Sequence, residues 1–209
     1  SQQTFLEDYG LDLIGGRMEV VDQSGQPLYT TPRLPMFPDA VRRAARWNNS
    51  VPHPTWFGRR EVFEQLYRDI PLCEDYDFQL RALLAGFRLG NTDEVVLKYR
   101  ISPQGISQTG LYRQYLYQRY ITSRYQKGEA ADIAAANHYV SNRADERRAQ
   151  RYANANRQLN ATLASPKPNL QQALALLAAC ASSPAHVGKM IRLARAALIG
   201  RNERRSAQR

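Results

Sequence analysis

Hydrophobic and polar positions alternate in short runs over the first hundred residues and then settle into a helical rhythm. Gly16-Arg17-Met18-Glu19-Val20-Val21 predicts a strand, and Asp22-Gln23-Ser24-Gly25-Gln26-Pro27 predicts the turn that closes it. The prolines at 32, 35 and 38 predict a loop, after which Asp39 is placed to cap a helix running to Arg46. A short helix is predicted over Glu61 to Tyr67. A longer one starts at Glu74 or Asp75, where Tyr76, Leu80, Leu83, Leu84 and Phe87 recur at helical spacing up to the stop at Gly86. Asn91 to Asp93 then turns the chain into Glu94-Val95-Val96-Leu97-Lys98-Tyr99, a strand that would carry Val95, Leu97 and Tyr99 on one face. This order of elements is α/β.

From Leu111 onward the pattern is helical, first through Tyr112, Tyr115, Tyr117, Tyr120 and Tyr125, then from Ala131 to about Leu163. Ser165-Pro166-Lys167-Pro168 predicts a break, with Asn169 as the N-cap of a helix from Leu170 to Cys180. Ser182-Ser183-Pro184 ends that helix. The last one aligns Val187, Met190, Ile191, Ala194 and Leu198 in an apolar stripe, with Lys189 and Arg192 off that face and an arginine-rich tail from Arg201 to Arg209. The chain therefore divides into an α/β part, residues 1–110, and an all-helical part, residues 111–209, with a Pro-rich break near 165–168.

Composition narrows the classes. At 209 residues, 43% hydrophobic and 23% charged, the chain has material for a core and is neither collagen-like nor wholly disordered. The longest apolar run, Ala173 to Ala181, is about half of the roughly 20 residues a spanning helix needs, and no charged head precedes an apolar signal segment. Cys73 and Cys180 have no partner at metal-ligand spacing, so neither a disulfide framework nor a zinc site is encoded and a cytoplasmic location is the expectation. The net charge of +10 is unevenly spread: residues 1–110 carry 12 Lys/Arg against 14 Asp/Glu, and residues 111–209 carry 17 against 5. All the basicity belongs to the helical half.

Three segments carry candidate chemistry: Asn49-Ser50-Val51-Pro52-His53-Pro54-Thr55-Trp56-Phe57-Gly58-Arg59-Arg60, then Glu74-Asp75-Tyr76-Asp77-Phe78-Gln79-Leu80-Arg81, then Tyr99-Arg100 followed by Ser107. With Ala85-Gly86-Phe87 and Asn91, their content and order resemble the acceptor-side half of a family-two inverting glycosyltransferase of the GT-A fold, over roughly Leu13 to Ser107. The resemblance implies a partial GT-A, Rossmann-like domain followed by a basic helical region. It implies Asp75 as the general base that takes the acceptor hydroxyl proton, and Glu74, His53, Thr55 and Arg100 as acceptor-binding candidates. Read as a strand, Pro52 to Thr55 would put His53 and Thr55 on one face. Trp56 and Phe57 fit either core or a sugar platform, and Arg100 fits either anion binding or a salt bridge to Glu74, Asp75 or Asp77. The plain reading of the acidic cluster is a set of first-turn helix acids, with Asp77 paired to Arg81.

The resemblance also implies a nucleotide-sugar donor and a saccharide or lipid-linked acceptor. Mg or Mn would be held by an Asp-any-Asp motif in a nucleotide-binding half expected ahead of Ser1, so residues 1–209 alone are expected to be inactive and to bind no metal or cofactor. Asp75-Tyr76-Asp77 has the letters of that motif but the place of the helix start, and Ser102 stands where many relatives have a histidine. For the basic helices three readings stand: packed helices with solvated basic faces, attachment to an anionic membrane surface through residues 185–205, and nucleic-acid binding, for which no motif is present. An open sheet edge leaves a homodimer as a further expectation.

Overall fold

The computed structural model describes residues 1–101, 110–164 and 169–207. Ser102, Ser107, the Pro166–Pro168 break and the last two residues of the tail lie outside the described residues. The protein is mixed α/β, with a small mixed sheet and a helical C-terminal region.

The element order is α1 (Gln2–Asp8), β1 (Leu13–Val21), β2 (Pro27–Thr30), α2 (Pro38–Ala44), a 3-10 turn (His53–Thr55), β3 (Phe57–Gly58), α3 (Arg60–Phe63), α4 (Glu74–Leu84) and β4 (Leu89–Arg100). Then follow α5 (Leu111–Tyr125), α6 (Ile133–Ser141), α7 (Glu146–Ala164), α8 (Leu170–Ser182) and α9 (Pro184–Ala207). β1 is the central strand. β4 runs parallel along its whole length from the Leu13–Leu89 pair to the Val21–Arg100 pair. β3 and β2 pair antiparallel with its start and its end. Extra residues in β4 between Asn91 and Val95, and again before Leu97, shift its register. A bulge of this kind breaks the two-residue alternation, so Val95 is half-exposed and does not share a buried face with Leu97 and Tyr99 as the sequence pattern predicts.

Glycine is required where β1 passes under the loop before the 3-10 turn. A Cβ on Gly15 would stand 2.7 Å from the Val51 side chain and 2.8 Å from Asn91 Oδ1, and one on Gly16 would meet Val96 at 2.7 Å. This close approach lets Asn91 Nδ2 donate to the carbonyls of Ser50 and Pro35 at 2.8 and 2.6 Å.

α4 is the hub of the core. Tyr76, Phe78, Leu80, Ala82 and Leu83 are buried, and they belong to one cluster with Leu13 and Leu89 of the sheet and Tyr115, Leu116 and Ile121 of α5. The core thus runs through both regions of the chain. Tyr76 donates to the Ala45 carbonyl at 2.7 Å and accepts from Thr122 at 3.2 Å, tying the end of α2 to α5 through α4. Gly86, with φ +94°, turns the chain after α4, as the sequence signal predicts.

Four sequence expectations need correction. Asp39 is not a cap: Pro38 takes the first turn of α2, Phe37 is the N-cap, and the helix ends at Ala44. The Phe37 and Met36 N–H groups donate instead to the Glu203 carboxylate of α9, both at 2.8 Å. The helix predicted over residues 61–67 stops at Phe63, because the chain reverses through Leu66 in the left-handed region. The stretch from Ala131 to Leu163 is two helices.

The largest reversal concerns α9. Lys189 and Arg192 face inward, the Lys189 ammonium donating to Asn156 at 2.7 Å and the Arg192 guanidinium lying over Tyr115. Val187, Ile191 and Leu198 of the apolar stripe are exposed. The N-cap of α8 agrees with prediction: Asn169 accepts from the Gln172 N–H at 2.8 Å in a full capping box.

Replacing Gly15 with alanine is expected to destabilise the fold by about 1–3 kcal/mol, the range for overpacking a closed site. Chemical denaturation measures it, and an unchanged midpoint would show that the loop can retreat at no cost.

Candidate functional site

The chain entering the site is held from below. Gln79 of α4 accepts from the Ser50 N–H at 3.1 Å and donates to the Val51 carbonyl at 3.3 Å. Trp56 Nε1 donates to the same carbonyl at 3.0 Å. Pro52 and Pro54 restrict the backbone between these anchors, and Pro52-His53-Pro54-Thr55 closes into a 3-10 turn. The strand expected there does not form, with a direct consequence for its side chains. His53 is exposed on one side of the turn and Thr55 is buried on the other. Thr55 Oγ1 donates to the Pro52 carbonyl at 2.7 Å and accepts from the Gly16 N–H at 3.0 Å. Both hydrogen-bonding roles of that hydroxyl are spent on the backbone, so Thr55 supports the turn and is not placed to bind an acceptor.

Asp75 opens α4 and is half-buried. Its Oδ1 accepts from the Tyr76 N–H at 2.7 Å and its Oδ2 from Asn49 Nδ2 at 3.0 Å. Burial pushes its proton affinity above the ordinary carboxylate range, while the Tyr76 N–H and the charge of His53 pull it back and Glu74 pushes it further up. Glu74 is exposed at the same helix start. Consecutive helical residues point about 100° apart, so the two carboxylates cannot face one atom together.

His53 Nε2 and the Tyr67 hydroxyl are 2.9 Å apart. Burial and the negative charges of Asp75 and Glu74 push the Tyr67 phenol above its usual range, so the hydroxyl stays protonated at neutral pH and remains available as a partner for the imidazole. The His53 ring also meets Trp56 edge-on at 4.7 Å, and Trp56 in turn packs on Phe78 at 5.1 Å. The indole is therefore part of the support under the histidine.

Tyr67 stands on a loop with no regular structure, and a buried charge holds that loop down. Asp77, 2% exposed, accepts from Arg68 through both oxygens, at 2.5 and 2.9 Å, and from Arg81 at 2.9 Å. Arg81 donates further to the Gln65 and Leu66 carbonyls at 3.1 and 2.6 Å. The predicted Asp77–Arg81 pair is present, and Arg68 joins it.

Arg100 is placed elsewhere. It pairs with Val21 at the far end of β4, six positions along β1 from Gly15 and so about 20 Å away. Its guanidinium donates to the Gln23 carbonyl in the β1–β2 turn. Neither the salt bridge to the α4 acids nor a contact with this cluster forms, because β4 runs parallel to β1 and carries its last residue away from the site. Asn49 and Tyr67 carry no assignment from sequence. Asn49 had a signal in its nearness to the His-Pro-Thr segment, whereas Tyr67 had none, since its position depends on the left-handed backbone at Leu66.

Together Asn49, His53, Tyr67, Glu74 and Asp75 form a polar cluster with one carboxylate able to take a proton, one imidazole and one exposed acid. Among the described residues no three His, Cys, Asp or Glu side chains gather as a metal site. Comparison with protein-family models, with characterised proteins and with solved structures finds no match for this chain.

A group that binds protons more tightly in the folded state than in the unfolded one stabilises the fold below its unfolded pKa and loses that contribution as pH rises through the folded value. Asp75 is such a group, measured from an ordinary value of 3.8. Asp75→Asn is therefore expected to melt at a higher temperature than the parent at neutral pH, with the advantage shrinking below about pH 4. Thermal melts at the two pH values check this; equal destabilisation at both would show that the carboxylate is stabilising.

Proposed function

We propose that this chain is the acceptor side of an inverting glycosyltransferase, with Asp75 as the general base. The observation that carries the reading is the Asp75 carboxylate, half-buried at the start of α4, oriented by Asn49 and the Tyr76 N–H, and set in the field of His53. In inversion the acceptor oxygen attacks the anomeric carbon, its proton passes to the base, and the bond to the nucleotide diphosphate breaks on the opposite face. A carboxylate drawn partly out of water holds a proton better than an exposed one. His53, fixed by Tyr67, and Glu74 are the groups assigned to acceptor hydroxyls. The nucleotide-sugar donor and any Mg or Mn on its diphosphate belong to a nucleotide-binding half outside these residues, and the acceptor class is a saccharide or a lipid-linked saccharide.

In an enzyme that carries both halves, Asp75→Asn is expected to lower transfer by about 10²–10⁴-fold, the worth of a general base, with donor affinity changed by no more than a few fold. Near-normal turnover would remove Asp75 from that role.

A second reading concerns attachment, and a specific observation favours it. Leu170, Leu174 and Leu177 of α8 are 76%, 56% and 66% exposed, and Val187, Ile191 and Leu198 of α9 are 39%, 49% and 54% exposed. Each set recurs at helical spacing and forms one outward stripe, and Arg195, Arg201 and Arg205 of α9 are exposed beside it. No single helix among the described residues is long and apolar enough to cross a membrane, and α8 and α9 meet at 110°. An apolar stripe edged with arginine suits the surface of an anionic bilayer, giving a peripheral protein at the cytoplasmic face. Nucleic acid, a polyanion that the same arginines could meet, gives no role to the leucines.

Co-sedimentation with vesicles containing phosphatidylglycerol is expected to weaken with salt and to be lost in Ile191→Asp with Leu198→Asp. Retained sedimentation of that variant would reject α9 as the contact.

A further inference from the structure

A cavity of about 430 Å³ opens among the helices and shares no residue with the Asp75 cluster. Its floor is Tyr112, Tyr115 and Leu116 of α5, and its corner is Ser182 to Ala185, where α8 ends and α9 begins. Four arginines line it: Arg119 from α5, Arg143 from the turn after α6, and Arg148 and Arg151 from α7. No Asp or Glu does. Among the described residues none of the four makes a salt bridge, since the ion pairs of the molecule involve other cations. The nearest acids along the chain are Asp145 and Glu146. Asp145 accepts the Arg148 backbone N–H at 2.8 Å, and Glu146 lines a neighbouring cavity.

Four like charges around one hollow repel each other, and among the described residues no acid lines that hollow, Glu146 facing Arg151 only across an adjoining one. Guanidinium groups offer paired N–H donors matched to phosphate oxygens. The 24-residue helix α9 begins at the same corner, with Ser183 Oγ accepting the His186 N–H, so the positive end of a long helix dipole adds to the field. The volume lies within the range of small-molecule sites. We propose that this cavity is a binding site for a diphosphate-type anion, held by Arg119, Arg143, Arg148 and Arg151. The same chemistry is presented by a soluble diphosphate and by the phosphate head of a lipid. The site does not rest on the glycosyltransferase reading, and loss of transfer in Asp75→Asn leaves it untouched.

Inorganic pyrophosphate titrated calorimetrically into the 209-residue chain at fixed ionic strength tests it. Saturable binding is expected, weakened about tenfold or more in Arg119→Gln with Arg148→Gln, the loss of charge-assisted contacts. All four arginines are exposed, so this variant is expected to fold and to melt no lower than the parent without ligand. Arg113→Gln with Arg157→Gln, on the neighbouring cavity, removes the same charge and is expected to bind as the parent does. Competition with short-chain phosphatidic acid below its micelle concentration separates the two sources: displacement at lower concentration assigns a lipid head, and failure to displace assigns a soluble anion. Absence of saturable binding at about 1 mM pyrophosphate, or equal weakening in both double variants, overturns the proposal.

Discussion

The Asp77 carboxylate, buried between Arg68 and Arg81, holds together the parts of the molecule that carry its candidate chemistry. A charge with so little exposure is tolerated only because both oxygens are filled and the two guanidinium groups keep their remaining donors occupied or wet. One arginine comes from the loop after α3 and the other from α4 itself. The loop thereby becomes a fixed extension of the helix despite having no regular structure. Tyr67 sits on that loop, His53 leans on Tyr67, and Asp75 stands two residues before Asp77 on the same helix. Removing one partner of such a pair costs about 3–5 kcal/mol elsewhere, and here it would also release the side chain that orients the imidazole.

The second constraint is the inverted placement of α9. Its inner face carries Lys189, Arg192, Gly200 and Glu203, each with a specific reason to be inside. Lys189 donates to Asn156 and lies over Tyr152, Arg192 lies over Tyr115 and donates to Gln118 Oε1, Gly200 lets the helix approach Pro35, and Glu203 accepts from the Met36 and Phe37 N–H groups just ahead of α2. Tyrosine rings make this possible, because a π face accepts a cation that a purely aliphatic wall would exclude. Val187, Ile191 and Leu198 are left on the outside, and the helix that closes the fold is also the one that presents a hydrophobic stripe. The same tyrosine-rich α5 floors the arginine-lined cavity, so one helix supports both the packing of cations and their accumulation at the surface.

The local reading succeeded where short-range forces decide. Tyr76, Leu80 and Leu83 recur at the helical period and α4 forms; Asn169 and Gln172 stand three apart and cap α8; Ser183-Pro184 ends one helix and starts the next. It failed where a second, distant segment competes. Asp39 has the chemistry of a cap, but Pro38 starts α2 one residue earlier, and the Met36 and Phe37 N–H groups ahead of it are held by Glu203 from the other end of the chain. Val95 and Leu97 have the spacing of one strand face, but the bulges needed to match β4 to β1 rotate them apart. His53 and Thr55 alternate like strand residues, but two prolines and the Gly15–Gly16 surface below them favour a tight turn.

Residue identity alone was enough to mark the carboxylates of α4, the histidine between two prolines and the basic bias of the helical half, since charge, proton affinity and period are written into each side chain and its near neighbours. Which of them meet was settled by contacts across the fold. Asn49 reaches Asp75 across 26 residues, Tyr67 reaches His53 across 14, and Arg100 is carried off to the far end of the sheet. α9 likewise chose its inner face by what it found there. The energy of an amphipathic stripe depends on the surface opposite it, and that surface is assembled from residues the stripe cannot see along the chain.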